Sequence, residues 1–65
     1  MIIKLFRYLY KPENMIVDTF YNQESGNVTY VSESGMTGEI ASGIHSIDTA
    51  AKTVLTAFID DFELL

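Results

Sequence analysis

Residues 15–34, MIVDTFYN-QESGN-VTYVSES, contain the pattern on which the predicted sheet depends. Residues 15–22 and 28–34 are rich in β-branched and aromatic side chains, which are typical of strands. The five residues between them are polar or glycine, and Gly26 can take the positive φ that a tight turn requires. This stretch therefore predicts a β-hairpin.

The residues before the hairpin predict another strand. Residues 2–10 are dense in apolar, β-branched and aromatic side chains, which favours a strand. Their two charged residues, Lys4 and Arg7, are three positions apart, so a short amphipathic helix is the alternative. Pro12 ends this segment, because proline fixes φ and has no backbone N–H.

The residues after the hairpin predict a short strand and then a helix. Three glycines lie within residues 35–43, which we interpret as a turn followed by a short strand. A helix is expected from about Ile47 to about Leu64, with Ser46 as its N-cap and Asp48 in its first turn. Apolar residues recur through it at helical spacing: Ile47, Ala50, Ala51, Val54, Leu55, Phe58 and Phe62. The predicted fold is α+β, a small antiparallel sheet of three to four strands with one C-terminal amphipathic helix packed on one face.

Size and composition limit what the chain can be. Its 65 residues predict a single domain over residues 1–65, and a domain this small is marginally stable alone. Cysteine is absent and His45 is the single histidine, so neither a disulfide nor a metal site is expected. Further stability must then come from a tight core, a partner or self-association. Because the chain is 48% hydrophobic, we favour self-association into a homodimer among these.

Charge is divided unequally along the chain. Lys4, Arg7 and Lys11 give the first twelve residues a formal charge of +3. The remaining residues carry −8, nine acids against Lys52 alone. Such a balance disfavours direct binding to nucleic acid and favours a basic protein partner. No apolar run approaches the length of a membrane span or of a signal peptide, so we expect a cytoplasmic protein with no membrane partner.

No catalytic or cofactor motif is expected to operate in this chain. The glycines at 35, 38 and 43 lack the Gly-Lys-Ser/Thr ending of a phosphate loop. No nucleophile-elbow spacing is present, and a chain this small rarely forms the deep cleft that carboxylate-based hydrolysis needs. We therefore predict that the protein is not an enzyme and has no cofactor.

The hairpin loop has two possible registers. If Ser25 and Gly26 form a two-residue turn, Asp18 lies opposite Glu33 and Tyr21 opposite Tyr30. Facing carboxylates destabilise a sheet unless a cation or a basic partner side chain lies between them, and paired tyrosines suit either packing or a protein interface. A longer loop shifts the register and removes this argument.

Three acids crowd the end of the predicted helix. Asp60, Asp61 and Glu63 would oppose the negative end of the helix dipole, at a cost of roughly 0.3–1 kcal/mol each. Either this segment is a frayed, solvated tail, or it forms an acidic knob for a basic partner.

Part of the chain resembles the HicB-type antitoxin family. The resemblance runs over about residues 15–62 and lies in residues 22–26, 28–31, 37–43 and 46–50. It departs from the family pattern at Thr37, where the family has proline, and at Glu39, where it has cysteine. An extra residue also lies between Gly43 and Ser46, and the family's strand after the helix and its DNA-binding C-terminal part are not expected. The resemblance implies a partial RNase-H-like sheet and helix that bind a protein partner.

The function expected from these patterns is inhibition of a basic protein that handles nucleic acid. Small phage counter-defence proteins, including anti-CRISPR proteins, resemble this chain in size, acidity and lack of cysteine, and a phage protein would act in the host cytoplasm. The alternatives are a HicB-like antitoxin that neutralises a small ribonuclease, and a structural oligomerisation module that pairs through the N-terminal strand as a sheet edge. The expected partner-binding residues are Asp18, Glu33, Asp60, Asp61 and Glu63 as phosphate mimics, with Tyr21 and Tyr30 as anchors.

Overall fold

A five-stranded antiparallel sheet with one helix on its inner face makes up the fold, in a computed structural model that describes all 65 residues. The sheet order is β4-β3-β2-β1-β5. The elements along the chain are β1 Ile2–Tyr10, a 3-10 turn Lys11–Glu13, β2 Met15–Asn22, β3 Asn27–Ser32, β4 Thr37–Ala41, α1 Ile47–Ala57 and β5 Phe62–Leu64. The α+β class is confirmed, although the sheet has five strands where three to four were predicted.

The helix is shorter than predicted and does not end the chain. It stops at Ala57, the chain turns through Asp60 at φ 59°, and Phe62–Leu64 then pairs with β1 as β5. Phe58 and Phe62 nevertheless contact each other, with ring centroids 4.7 Å apart. The i,i+4 spacing that suggested a continuing helix therefore reflects packing across a turn. The expectation that no strand would follow the helix is therefore wrong, because β5 follows it.

The first strand is confirmed, and a β-bulge explains its ambiguous period. Its pairing with β2 shifts register between Lys4 and Arg7, so both charged side chains lie on the outer face, away from the helix. Thr19 is fully buried opposite the bulge. Its hydroxyl accepts a hydrogen bond from the Phe6 N–H (3.0 Å) and donates one to the Phe6 carbonyl (2.9 Å), which satisfies the backbone groups that the bulge leaves unpaired.

The hairpin register differs from the two-residue turn considered above. Asn22 pairs with Asn27, so residues 23–26 form a four-residue loop. Gly26 closes this loop at φ 76°, and a Cβ there would lie 3.0 Å from the Ile44 carbonyl oxygen. Asp18 consequently lies opposite Val31 rather than opposite Glu33. The longer loop is therefore the alternative that forms, and the two carboxylates do not face each other.

The core lies between the sheet and α1. It contains Tyr8, Tyr21, Val28, Ala50 and Val54, each at most 3% exposed. The N-cap is confirmed, since the Ser46 hydroxyl accepts from the Thr49 N–H at 3.2 Å. The helix has 11 residues, and no helix is long and apolar enough to cross a membrane.

The free edges of the sheet are β4 and β5. β1, which the oligomerisation hypothesis took as an edge, lies between β2 and β5 and is paired on both sides. Self-association through an exposed β1 edge is therefore excluded in this structure.

We predict that Thr19→Val destabilises the protein by about 1–3 kcal/mol, because the Phe6 N–H and carbonyl lose the hydroxyl that they bind while the side-chain shape is kept. Urea denaturation measures the change. Thr29→Val is the matched control, since Thr29 lies on the outer face of β3 and makes no side-chain hydrogen bond. Equal stability of the two variants would contradict the bulge argument.

The two buried tyrosines provide a second matched pair. The Tyr8 hydroxyl is buried without a hydrogen-bond partner, whereas the Tyr21 hydroxyl donates to the Ile44 carbonyl at 2.9 Å. We expect Tyr8→Phe to leave stability unchanged or to raise it, and Tyr21→Phe to lower it by about 1 kcal/mol. Thermal or urea unfolding that shows the reverse order would refute this assignment.

Candidate functional site

One end of the sheet collects exposed carboxylates, and we call it the acidic end. β1 finishes there, β2 begins, β3 finishes and β5 begins, because all neighbouring strands run antiparallel. Its acids are Glu13, Glu33, Asp60, Asp61 and Glu63, all of which are exposed. Lys11 is the cation at this end, in the 3-10 turn that follows β1. Four of the predicted partner-binding residues, Glu33, Asp60, Asp61 and Glu63, therefore lie at the same end of the sheet.

Backbone contacts hold the turns of the acidic end against each other. The Lys11 N–H donates to the Asp61 carbonyl at 2.8 Å, which joins the turn after β1 to the turn before β5. Asn14 (φ 52°) and Asp60 (φ 59°) take left-handed conformations in these turns, which Asn and Asp tolerate better than most residues. Asp60 and Asp61 therefore lie in a turn that is hydrogen-bonded to the turn after β1, and not in a frayed helix end.

Asp60 and Asp61 do not occupy the last helical turn that was predicted for them. α1 ends at Ala57, three residues before Asp60. The predicted conflict between these acids and the last turn of a longer helix is therefore wrong. Their placement follows from the turn that returns the chain to the sheet.

Glu33 is tied to the neighbouring strand through both its backbone and its side chain. Its N–H donates to the Ile16 carbonyl at 2.9 Å, and its carboxylate accepts from the Ile16 N–H at 3.2 Å. Glu33 thus extends the β2–β3 ladder by one residue while its side chain stays exposed. This contact fixes its carboxylate relative to the acidic end.

Asp18 does not belong to the acidic end, which corrects its expected role as a phosphate mimic. Its carboxylate accepts from Arg7 at 2.8 Å and 3.2 Å, and Lys4 lies 3.5 Å away. The hydrogen bond from Arg7 lowers the pKa of Asp18 below its ordinary value, and the charge of Lys4 acts in the same direction. The cation inferred for this position is therefore supplied by the chain itself.

The two predicted tyrosine anchors are separated by the sheet register. Tyr21 pairs with Val28 and is 3% exposed in the core, so its expected role as an anchor is wrong in this structure. Tyr30 is half-buried on the inner face, where its ring lies against Gly38. A Cβ at Gly38 would approach that ring to about 2.5 Å, so glycine there lets the ring lie flat on β4.

Tyr30 also lines an open cavity of about 510 Å³, which we call the inner groove. The groove forms because α1 ends at Ala57 before it covers the inner face at the acidic end. Nine of its eleven lining residues are hydrophobic. The lining includes Tyr10, Met15, Met36, Ala57, Phe58 and Phe62, and Glu13 is its one acidic residue.

Aromatic stacking makes part of the groove wall rigid. The Phe58 ring stacks on Tyr8 at 4.9 Å, and Phe62 lies 5.0 Å from Tyr10. Such pairs stabilise a packed arrangement beyond the area that they bury. Sequence reasoning assigned these residues to a helix stripe or a strand and missed the groove, although eight aromatic residues in so short a chain are a signal for an exposed aromatic surface.

No three His, Asp or Glu side chains converge on a possible metal site. Comparisons of the chain with protein-family models, curated proteins and solved structures found no match. The case for a function therefore rests on the geometry and charge of this chain.

We predict that Asp18→Asn lowers the free energy of unfolding at neutral pH, by less than Thr19→Val does, because the ion pair lies at the surface and is screened. The folded-state pKa of Asp18 is depressed, so its contribution is present above the ordinary value of 3.8 and is lost as pH falls through the folded pKa. The difference between wild type and variant should therefore shrink in acid.

Urea denaturation at neutral pH and at pH values below that ordinary value measures this effect. Glu39→Gln is the control, since Glu39 is exposed and makes no ion pair. A difference between wild type and Asp18→Asn that stays constant with pH would contradict the assigned ion pair.

Proposed function

We propose that this protein is a non-enzymatic inhibitor that occupies a basic, nucleic-acid-binding surface of a target protein, as phage counter-defence proteins of the anti-CRISPR type do. The observation that carries the proposal is the distribution of charge on the folded chain. Eight of the nine acids are exposed, whereas two of the four basic side chains, Lys4 and Arg7, bind Asp18. The basic start of the chain is therefore partly neutralised from within. The acidic end keeps a negative balance, five carboxylates against Lys11, although Glu33 also interacts electrostatically with Arg7.

The acidic end has the chemistry to take the place of a nucleic-acid backbone. Its five carboxylates present oxygen acceptors to Lys and Arg side chains, which form charge-assisted hydrogen bonds with carboxylate and phosphate alike. Complementary charge steers association and makes it dependent on salt. In this proposal Glu33, Asp60, Asp61 and Glu63 contact the target, together with Glu13.

A HicB-like antitoxin that neutralises a small ribonuclease would use the same surface, and it differs from the leading proposal in the identity of the partner. An oligomerisation module would instead pair the free edges β4 or β5 between copies. Both stay predictions. The salt dependence of capture separates the oligomerisation module from the two hypotheses in which the acidic end binds a basic partner.

We predict that Asp61→Lys with Glu63→Lys abolishes capture of the target without unfolding the domain, because both side chains are exposed. Asp60 is left unchanged because its positive φ would strain a lysine there. Glu24→Lys with Glu39→Lys is the matched control, since it makes the same change in net charge away from the acidic end. Circular dichroism verifies that both variants fold.

The measurement is capture from a bacterial lysate at low and high salt, with the recovered proteins identified by mass spectrometry. We expect a basic nuclease or another nucleic-acid-binding protein that elutes with salt, is retained by the control variant and is displaced by DNA or RNA. Recovery of the protein itself alone, or direct binding of nucleic acid in a gel shift, would reject the proposal.

A further inference from the structure

We infer that the inner groove receives an apolar side chain from a basic segment of the partner, that is, an aliphatic or aromatic residue flanked by Lys and Arg. This inference rests on the proposed function and adds to it the kind of segment that the acidic end recognises.

The groove is large enough to bury a side chain and is already open. Its volume of about 510 Å³ lies within the range of roughly 300–1,000 Å³ that is typical of sites binding small groups. The stacked rings of Tyr8 and Phe58, and the contact between Phe58 and Phe62, hold one wall in place. An entering side chain therefore displaces water from apolar surface without first opening the core.

Two methionines make another part of the wall adaptable. Met15 is half-buried at the start of β2, and Met36 is 61% exposed in the turn before β4. Unbranched thioether side chains repack around partners of different shape at little cost, which is why they recur at promiscuous binding surfaces. The groove thus suits a range of apolar side chains rather than one small ligand.

Acidic residues lie in the groove lining and in the turn between two lining residues, and these select the flanking residues of the partner. Glu13 lines the groove itself. Asp60 and Asp61 lie in the turn between Phe58 and Phe62, two residues of the groove wall. Negative charge beside a low-dielectric surface attracts Lys and Arg and disfavours fatty acids or nucleotides. It also disfavours a second copy of this chain, whose net charge is −5.

Binding of two labelled synthetic peptides tests the inference. Both carry the same Lys and Arg residues, one with a central Phe-Leu pair and the other with Gly-Ser in its place. Fluorescence anisotropy at low and high salt measures their dissociation constants for the wild-type protein, for Ala57→Trp and for Leu55→Trp. Ala57 lines the groove, and a tryptophan there fills its mouth, whereas Leu55 is exposed elsewhere on the helix.

We expect the Phe-Leu peptide to bind wild type at least about tenfold more tightly than the Gly-Ser peptide, as burial of one large apolar side chain requires. Ala57→Trp should remove that preference and retain salt-dependent binding of both peptides, and Leu55→Trp should change neither. Met36→Trp, in an exposed turn at another wall of the groove, replaces Ala57→Trp if that variant does not fold.

The remaining outcomes overturn the inference and separate it from the proposed function. Equal binding of both peptides, each weakened by salt as expected, refutes the inference that an apolar side chain occupies the groove. It leaves the proposed function intact. No binding of either peptide at low salt refutes both. A dimer of the protein alone that Ala57→Trp dissociates shows that a second copy of the chain, and not a basic segment, occupies the groove.

Discussion

The hydrogen bonds between the Thr19 hydroxyl and the backbone of Phe6 are the interaction on which the charge distribution depends. They stabilise the bulge that shifts the register of β1 between Lys4 and Arg7. In a regular strand, residues three apart lie on opposite faces. Because of the bulge, both cations reach the carboxylate of Asp18 on the outer face. Lys4 and Arg7 are thereby ion-paired within the fold by a single acid. The rest of the chain therefore keeps a large excess of acidic over basic side chains.

Topology then brings charge and apolar surface to the same end of the molecule. α1 runs along the inner face and stops at Ala57, so the last part of that face is left open as the inner groove. The turn that follows the helix must return the chain to the sheet edge beside β1, and this turn carries Asp60 and Asp61. The early end of the helix therefore creates both the groove and the turn that carries two of the acids of the acidic end.

The hairpin, the first strand and the Ser46 cap could be predicted because local composition determines them. Other features could not. The spacing of Phe58 and Phe62 fits a helix and fits a turn followed by a strand equally well, so the sequence could not reveal β5. The hairpin register depends on the length of a four-residue loop that Gly26 closes against Ile44, a contact between distant residues. Tyr21 faces the core, and the β1–β2 register with its bulge gives Asp18 internal partners in Arg7 and Lys4. Both residues are thereby removed from the predicted surface.

We propose that the acidic end, and not the acidity of the chain as a whole, binds basic partners. Titration of the isotope-labelled protein with an oligolysine peptide, followed through its amide chemical shifts, distinguishes the two. We expect shift changes at Glu13, Glu33, Asp60, Asp61 and Glu63 that disappear at high salt. Equal changes at Glu24 and Asp48, which lie at the opposite end of the sheet and the start of the helix, would contradict it.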